Sequence, residues 1–182
     1  AVNQSKAQRV RDWQISVLQS DLPPIERALA GDSLAALGDT RFDETAWWLP
    51  KEENLGFVQI PVGEFVMGSD DGRDEEKPQH KVTLPDYWMA KYPVTVAQFR
   101  AFVEATKHTD FREAALEDPD NRPVRYVTWY NALAFTEWLN EQLSGFSKQG
   151  TSKGAFWEGI AAGKLHVTLP SEAEWEKAAR GT

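Results

Sequence analysis

Apolar residues recur at helical spacing between Ser5 and Leu18, where Val10, Trp13, Val17 and Leu18 share one side of a helix. The pattern breaks at Asp21-Leu22-Pro23-Pro24 and resumes with Ile25, Ala28, Leu29, Leu34 and Leu37 ahead of Gly38. Proline is tolerated in a first helical turn and glycine suits the residue after a last one. Residues 1–40 are therefore expected to form a helical hairpin, its second arm being one helix or two short ones. Residues 41–56 lose the helical period and read as an extended linker, pinned by the buried rings of Trp47 and Trp48.

Near residue 55 the period changes to alternation, which marks a domain boundary. Phe57 to Ile60 and Glu64 to Gly68 are expected to pair as a hairpin around Pro61-Val62-Gly63, with Phe65 and Met67 facing inward and Glu64 and Val66 outward. Ser69 to His80 is an acidic loop, and Lys81 to Leu84 is a third strand. Thr95, with Gln98 three residues on, caps a helix that places Val96, Phe99, Phe102 and Val103 on one face. A second helix spans Trp129 to Leu143 and carries Ala132, Phe135, Trp138, Leu139 and Leu143. The connections Lys107 to Arg125 and Ser144 to Lys164 are long enough to be functional or mobile. Ser171 and Glu174 cap a last helix whose apolar stripe of Trp175, Ala178 and Ala179 needs a covering surface. The sequence that supplies that surface is expected to follow Thr182.

Composition narrows the function. The 182 residues are 41% hydrophobic and include eight Trp, nine Phe and four Tyr, which supports a real core and suits a compact fold with long loops. A formal charge of −8 without a basic cluster argues against nucleic acid as a partner. No apolar run approaches the roughly 20 residues that span a bilayer. The polar, amphipathic first residues are unlike a signal peptide, so no membrane partner and a cytoplasmic location are expected. The absence of cysteine removes disulfides, thiolate metal sites and Cys nucleophiles from this chain.

Few residues carry a chemical signature. Asp70, Asp71, Asp74, Glu75 and Glu76 offer oxygen ligands of the kind calcium takes, without the spacing of an EF-hand. His80, His108 and His166 lie too far apart to form a local zinc or iron motif. Glycine-rich nucleotide loops and nucleophile elbows do not occur. Phe156 and Trp157 interrupt the Gly- and Ser-rich connection; exposed there they would anchor a partner, and tucked down they would clasp the loop to the domain.

Four segments together resemble one family. "FVQIPVGEFVMGS" (Phe57 to Ser69), "YWMAKYPVTVAQFRAFVEAT" (Tyr87 to Thr106), "RPVRYVTWYNALAFTEWL" (Arg122 to Leu139) and "LPSEAEWEKAARGT" (Leu169 to Thr182) are similar to the successive signatures of the formylglycine-generating enzyme and sulfatase-modifying factor family. Thr168 stands where that family usually has Arg. "IERALAGDSLAALGDTRF" (Ile25 to Phe42) is similar to wording that joins helical repeat or NTPase regions to such domains. The motif residues themselves read as core and capping devices rather than catalysts.

The resemblance implies an α+β, C-type-lectin-like fold of low regular secondary structure. It assigns residues 57–182 to the N-terminal portion of the domain, with the C-terminal portion missing. Members include oxidases that use copper held by two cysteines to turn a substrate cysteine into formylglycine. Others are iron-dependent sulfoxide synthases with histidines on an added helical bundle, and retroelement-diversified binding proteins. The oxidase cysteines are expected beyond Thr182, and the helical hairpin here contains no His. The resulting expectation is a non-catalytic module that binds a protein or small ligand, with no cofactor in this chain and calcium possible in the complete domain. Its nearest expected partner is the C-terminal remainder of the same domain, and the whole is expected to be a piece of a larger sensor, defence or retroelement-diversified protein. The alternative is an oxidase whose cysteines lie in that remainder.

Overall fold

A computed structural model describes residues 5–147 and 154–180. It resolves two compact units built from discontinuous segments, Ala1–Leu55 with Pro93–Phe135 and Gly56–Tyr92 with Thr136–Thr182.

In the first unit, α1 (Lys6–Leu18) starts at Ser5, whose side chain accepts the Gln8 N–H, and α2 (Pro24–Leu37) is one continuous helix with proline in its first turn. Val10 and Trp13 of the apolar stripe on α1 stay in solvent, and α2 seats itself through Ala30 and Leu34. Gly38 releases the chain at φ 84°, a value glycine adopts without strain. The next segment is not extended, because Asp43 accepts hydrogen bonds from the Thr45 N–H and hydroxyl and so caps a 3-10 turn over Glu44–Ala46. Left-handed Trp47 and Trp48 then reverse the chain, and β1 (Phe42–Asp43) pairs with β2 (Leu49–Pro50). Ala46, Leu49 and Pro50 are buried there, while the two Trp rings are only half-buried.

The helix α3 (Val96–Thr106) carries the expected capping box between Thr95 and Gln98. It buries Val96, Phe99 and Phe102, and Phe102 meets Phe135 edge-on at 5.9 Å. Phe135 belongs to α4 (Trp129–Ser147), which runs on past Leu143.

In the second unit β3 (Phe57–Ile60) and β4 (Gly63–Met67) do not pair with each other. β3 pairs with β6 (Tyr87–Ala90), and β4 with β5 (His80–Leu84). Both ladders share one register: Ile60 faces Tyr87, and three residues on Gly63 faces Leu84. Residues 57–90 thus form one long antiparallel ribbon whose tip is the acidic loop. Pro61 and Pro85 interrupt it, because a proline nitrogen has no hydrogen to give a ladder. Phe65 is buried while Glu64 and Val66 are exposed, as alternation requires.

The later part of α4 buries Trp138, Leu139 and Leu143. The connection after it contains α5 (Ala155–Ala161), and its residues 148–153 lie outside the described residues. The chain ends in α6 (Glu172–Arg180), capped by Ser171 and Glu174. Among the described residues no helix is long and apolar enough to cross a membrane.

Candidate functional site

The first unit is organised by Asp39. Its carboxylate, nearly enclosed, accepts the Arg41 guanidinium in a two-pronged pair at 2.9 and 2.6 Å and the Asn121 amide at 2.9 Å. Burial alone would raise its pKa, but the bonds from Arg41 and Asn121 and the Arg41 charge outweigh it and hold the carboxyl below its usual 3.8. The same Asn121 amide reaches the Gly31 carbonyl in α2, and Arg122 grips Asp32. The wording "LGDTRF" is therefore a joint: a glycine to leave the helix, a buried acid, and the arginine that neutralises it. A cleft of about 50 Å³ opens beside the joint, lined by Asp39, Phe42, Trp48, Thr95, Asp120 and Asn121. At about 10–15 Å³ per water it has room for a few solvent molecules.

The connection from Lys107 to Arg125 is held by Asn131, which is 1% exposed. Its side-chain oxygen accepts the Thr128 N–H while the Thr128 hydroxyl accepts the Asn131 N–H, a reciprocal cap for α4. Its amide nitrogen contacts His108 Nε2 at 3.1 Å and donates to the Asp110 carbonyl. His108 itself packs between the rings of Phe102 and Phe111. Around this buried hub the neighbouring rings turn to solvent: Tyr126, Trp129 and Tyr130 are 50%, 61% and 74% exposed. Tyr126 sits at φ 59° with the Arg125 guanidinium over its ring. A left-handed backbone at an aromatic residue is strained and is tolerated where the surroundings impose it. Of the motif Arg122 to Leu139, expected to supply core and capping residues, Thr128 and Asn131 form the cap, and Asn131, Phe135, Thr136, Trp138 and Leu139 are buried.

In the second unit α6 is clasped to the ribbon by polar groups. Lys177, 1% exposed, donates from Nζ to the carbonyls of Pro61 at 2.7 Å and Gly63 at 3.0 Å. The Tyr87 hydroxyl donates to the Glu174 carbonyl; its burial, then the nearby Glu174 charge, raise the phenol pKa. Glu176 accepts the Gly68 N–H, and Arg180 donates to the Gly68 carbonyl. Gly68 must be glycine, since a Cβ there would strike the Glu76 carbonyl. The other side of α6 presents Trp175, 63% exposed.

Phe156 and Trp157 are not a surface loop. They lie on α5 and are buried, Phe156 stacked on Phe57 at 5.3 Å and edge-on to Trp88 at 5.1 Å, Trp157 against Phe146 at 5.6 Å. Packing rings of that size onto the ribbon outweighs holding them in water, so they serve the core and offer no anchor to a partner. The acidic loop does not gather its carboxylates: Asp70 accepts the Gln79 N–H, and Asp74 pairs with Lys77. Among the described residues no three His, Cys, Asp or Glu side chains converge on a metal position.

The Sulfatase-modifying factor enzyme 1-like domain matches residues 46–182. The chain belongs to this FGE-sulfatase family. Its mixed helices and small sheets, preceded by helical elements, are that family's fold. Relatives include the Inactive C-alpha-formylglycine-generating enzyme 2 of Mus musculus, 32% identical over 151 residues, covering 71% of this chain and 48% of that protein. The serine/threonine-protein kinase Pkn1 of Chlamydia trachomatis is 30% identical over 143 residues, covering 68% and 19%. The Formylglycine-generating enzyme of Thermomonospora curvata is 27% identical over 180 residues, covering 72% and 51%. The solved structure of PvdO from Pseudomonas aeruginosa aligns with a TM-score of 0.40 at 25% identity, over 47% of this chain and 40% of that one. The chain thus spans between about a fifth and a half of the curated relatives it matches. The two-cysteine copper site of FGE-type oxidases does not fit these residues, because the chain has no cysteine.

Proposed function

We propose that this FGE-type chain is the scaffold part of a lectin-like, cytoplasmic binding domain that recognises a protein or small ligand and does not catalyse a reaction. The observation that carries this reading is the outward placement of rings inside the family-matched region: Tyr126, Trp129 and Tyr130 in one unit and Trp175 in the other. Large rings bind at low entropic cost because few torsions are frozen. In each unit by itself these rings are a seat for the remainder of the domain and, through it, for ligand. The relative named inactive supports a non-catalytic role. Calcium in the complete domain would need oxygen ligands beyond acidic side chains of this chain alone, since no three of those converge among the described residues.

The alternative is a formylglycine-generating oxidase, favoured by the match to the Thermomonospora curvata enzyme, with both cysteines supplied by polypeptide beyond Thr182. The full reading frame decides between them. Purified and titrated with copper(I), then incubated with a cysteine-containing peptide under oxygen, it is expected to give no aldehyde by mass spectrometry. Stoichiometric copper binding with conversion of the cysteine overturns the binding reading. Acrylamide quenching of tryptophan is expected to fall from the 182-residue chain to the longer protein as Trp129 and Trp175 become covered.

A further inference from the structure

We infer that the helical hairpin is a self-association surface: α1 of one copy packs on α2 of a second copy around a twofold axis. The hairpin precedes the family-matched region, so this inference is independent of the binding role proposed above. On α1, Val10 and Trp13 are 42% and 64% exposed. On α2, Ile25 and Leu29 are 68% and 59% exposed, and Leu22 just before it 40%. At about 100° per residue, Ile25 lies on the side of α2 opposite the buried Leu34. The apolar face of α2 therefore points away from the surface that seats the helix.

The two patches sit at opposite ends of the hairpin. Leu18 approaches Gly31, and Arg11 donates to the Leu37 carbonyl, so Trp13 lies level with the end of α2 while Ile25 and Leu29 lie near the turn. Their flanking charges are opposite. The exposed charges on α1 are Lys6 and Arg9, within two turns of Trp13, with Arg11 and Asp12 half-buried; those beside the α2 patch are Asp21 and Glu26, with Arg27 half-buried. A twofold pairing places each basic, Trp-centred patch on the acidic, Leu- and Ile-centred patch of the other copy, and does so twice. The five apolar side chains offer on the order of 400 Å² per copy. If that is about 60% of the contact, the interface totals roughly 1,300 Å², at the lower end of stable interfaces. The dimer is thus expected to be reversible.

The absence of cysteine makes the geometry directly testable. Sedimentation of the 182-residue chain is expected to show a monomer–dimer equilibrium. Trp13→Glu and Leu29→Glu should each raise the dimer dissociation constant about thirtyfold or more while leaving far-UV circular dichroism unchanged. Lys6→Glu with Arg9→Glu should weaken the dimer, and adding Asp21→Lys with Glu26→Lys should restore it. Mixing Trp13→Cys with Leu29→Cys under mild oxidation should yield the mixed disulfide in preference to either homodimer. The same cross-link in the longer protein serves if the isolated chain does not fold. A monomer at all concentrations, a dimer indifferent to both Glu substitutions, or hairpins captured only by a different helical protein overturns the inference.

Discussion

Lys177→Met isolates what holds α6 in place. Methionine keeps a flexible apolar stem in the same slot, so the packing contribution cancels to first order, and the change removes the two bonds from Nζ to the Pro61 and Gly63 carbonyls. Each such bond from a charged donor contributes about 1.5 kcal/mol or more net, and the carbonyls left facing an apolar side chain add a desolvation cost that the released ammonium partly offsets. The expected loss is about 2–4 kcal/mol, or a fall of roughly 5–12 °C in Tm for a chain of this size. Because α6 joins the ribbon at its proline interruption, hydrogen exchange should quicken first at residues 63–67. The control is Trp175→Ala on the opposite side of the same helix, expected to stay within about 0.5 kcal/mol because the ring is largely in solvent. Thermal unfolding followed by near-UV circular dichroism compares the two. The reasoning is refuted if Trp175→Ala proves the more damaging, since the apolar stripe and not the lysine would then seat the helix.

Three further outcomes follow from the geometry. Phe156→Ala should cost about 3–5 kcal/mol in urea unfolding, because it empties the space between Phe57 and Trp88; an unchanged midpoint would return that ring to the surface. Asp39→Asn should cost about 1–3 kcal/mol at neutral pH. The folded pKa of Asp39 lies below its usual 3.8, so its contribution is complete above that value and is lost as the pH falls through the folded one. The gap between variant and parent should therefore close in melts below about pH 4, and a gap that is constant with pH would show that the pair with Arg41 is not the cause. Asn131→Asp keeps the oxygen that caps α4 but removes the amide donor to the Asp110 carbonyl; it should cost about 2–3 kcal/mol, seen as faster exchange across residues 107–111, and full protection there would refute the role.

The elements legible in the sequence are those whose local signals agree with their burial. Thr95 and Gln98 specify a cap and the stripe behind them faces the core, so α3 appears as read. Strand pairing is less legible, because alternation fixes which way Phe65 points but not its partner; only the shared register shows that two prolines divide one ribbon instead of turning a hairpin. The segment from Arg41 to Leu55 hides its turns in an Asx cap at Asp43 and in left-handed Trp47 and Trp48, a conformation aromatic residues rarely take. Phe156 and Trp157 sit among Gly and Ser, so composition points to a loop, whereas the spacing to Ile160 completes a short helical face that the core captures.

The same limitation explains the candidate surface. A Trp in a capped helix reads as core by habit of composition, since aromatic side chains gain most from burial. In α4 and α6 the rings nearest the caps, Trp129, Tyr130 and Trp175, are instead the exposed ones, and Asn131 and Lys177 take the buried positions beside them. A polar residue can do so because each finds fixed backbone carbonyls to bond, Asp110 for the first and Pro61 and Gly63 for the second. Once those anchors seat the helices, the rings are not needed for the core and can face solvent, within one helical turn of a rigid anchor. An interaction surface needs that combination, large apolar groups on a backbone held in place by something other than themselves. If Trp129→Ala or Trp175→Ala unfolded the chain, that ring would be core after all and the seat proposed in its unit would vanish; unchanged stability in both is the outcome the proposal requires.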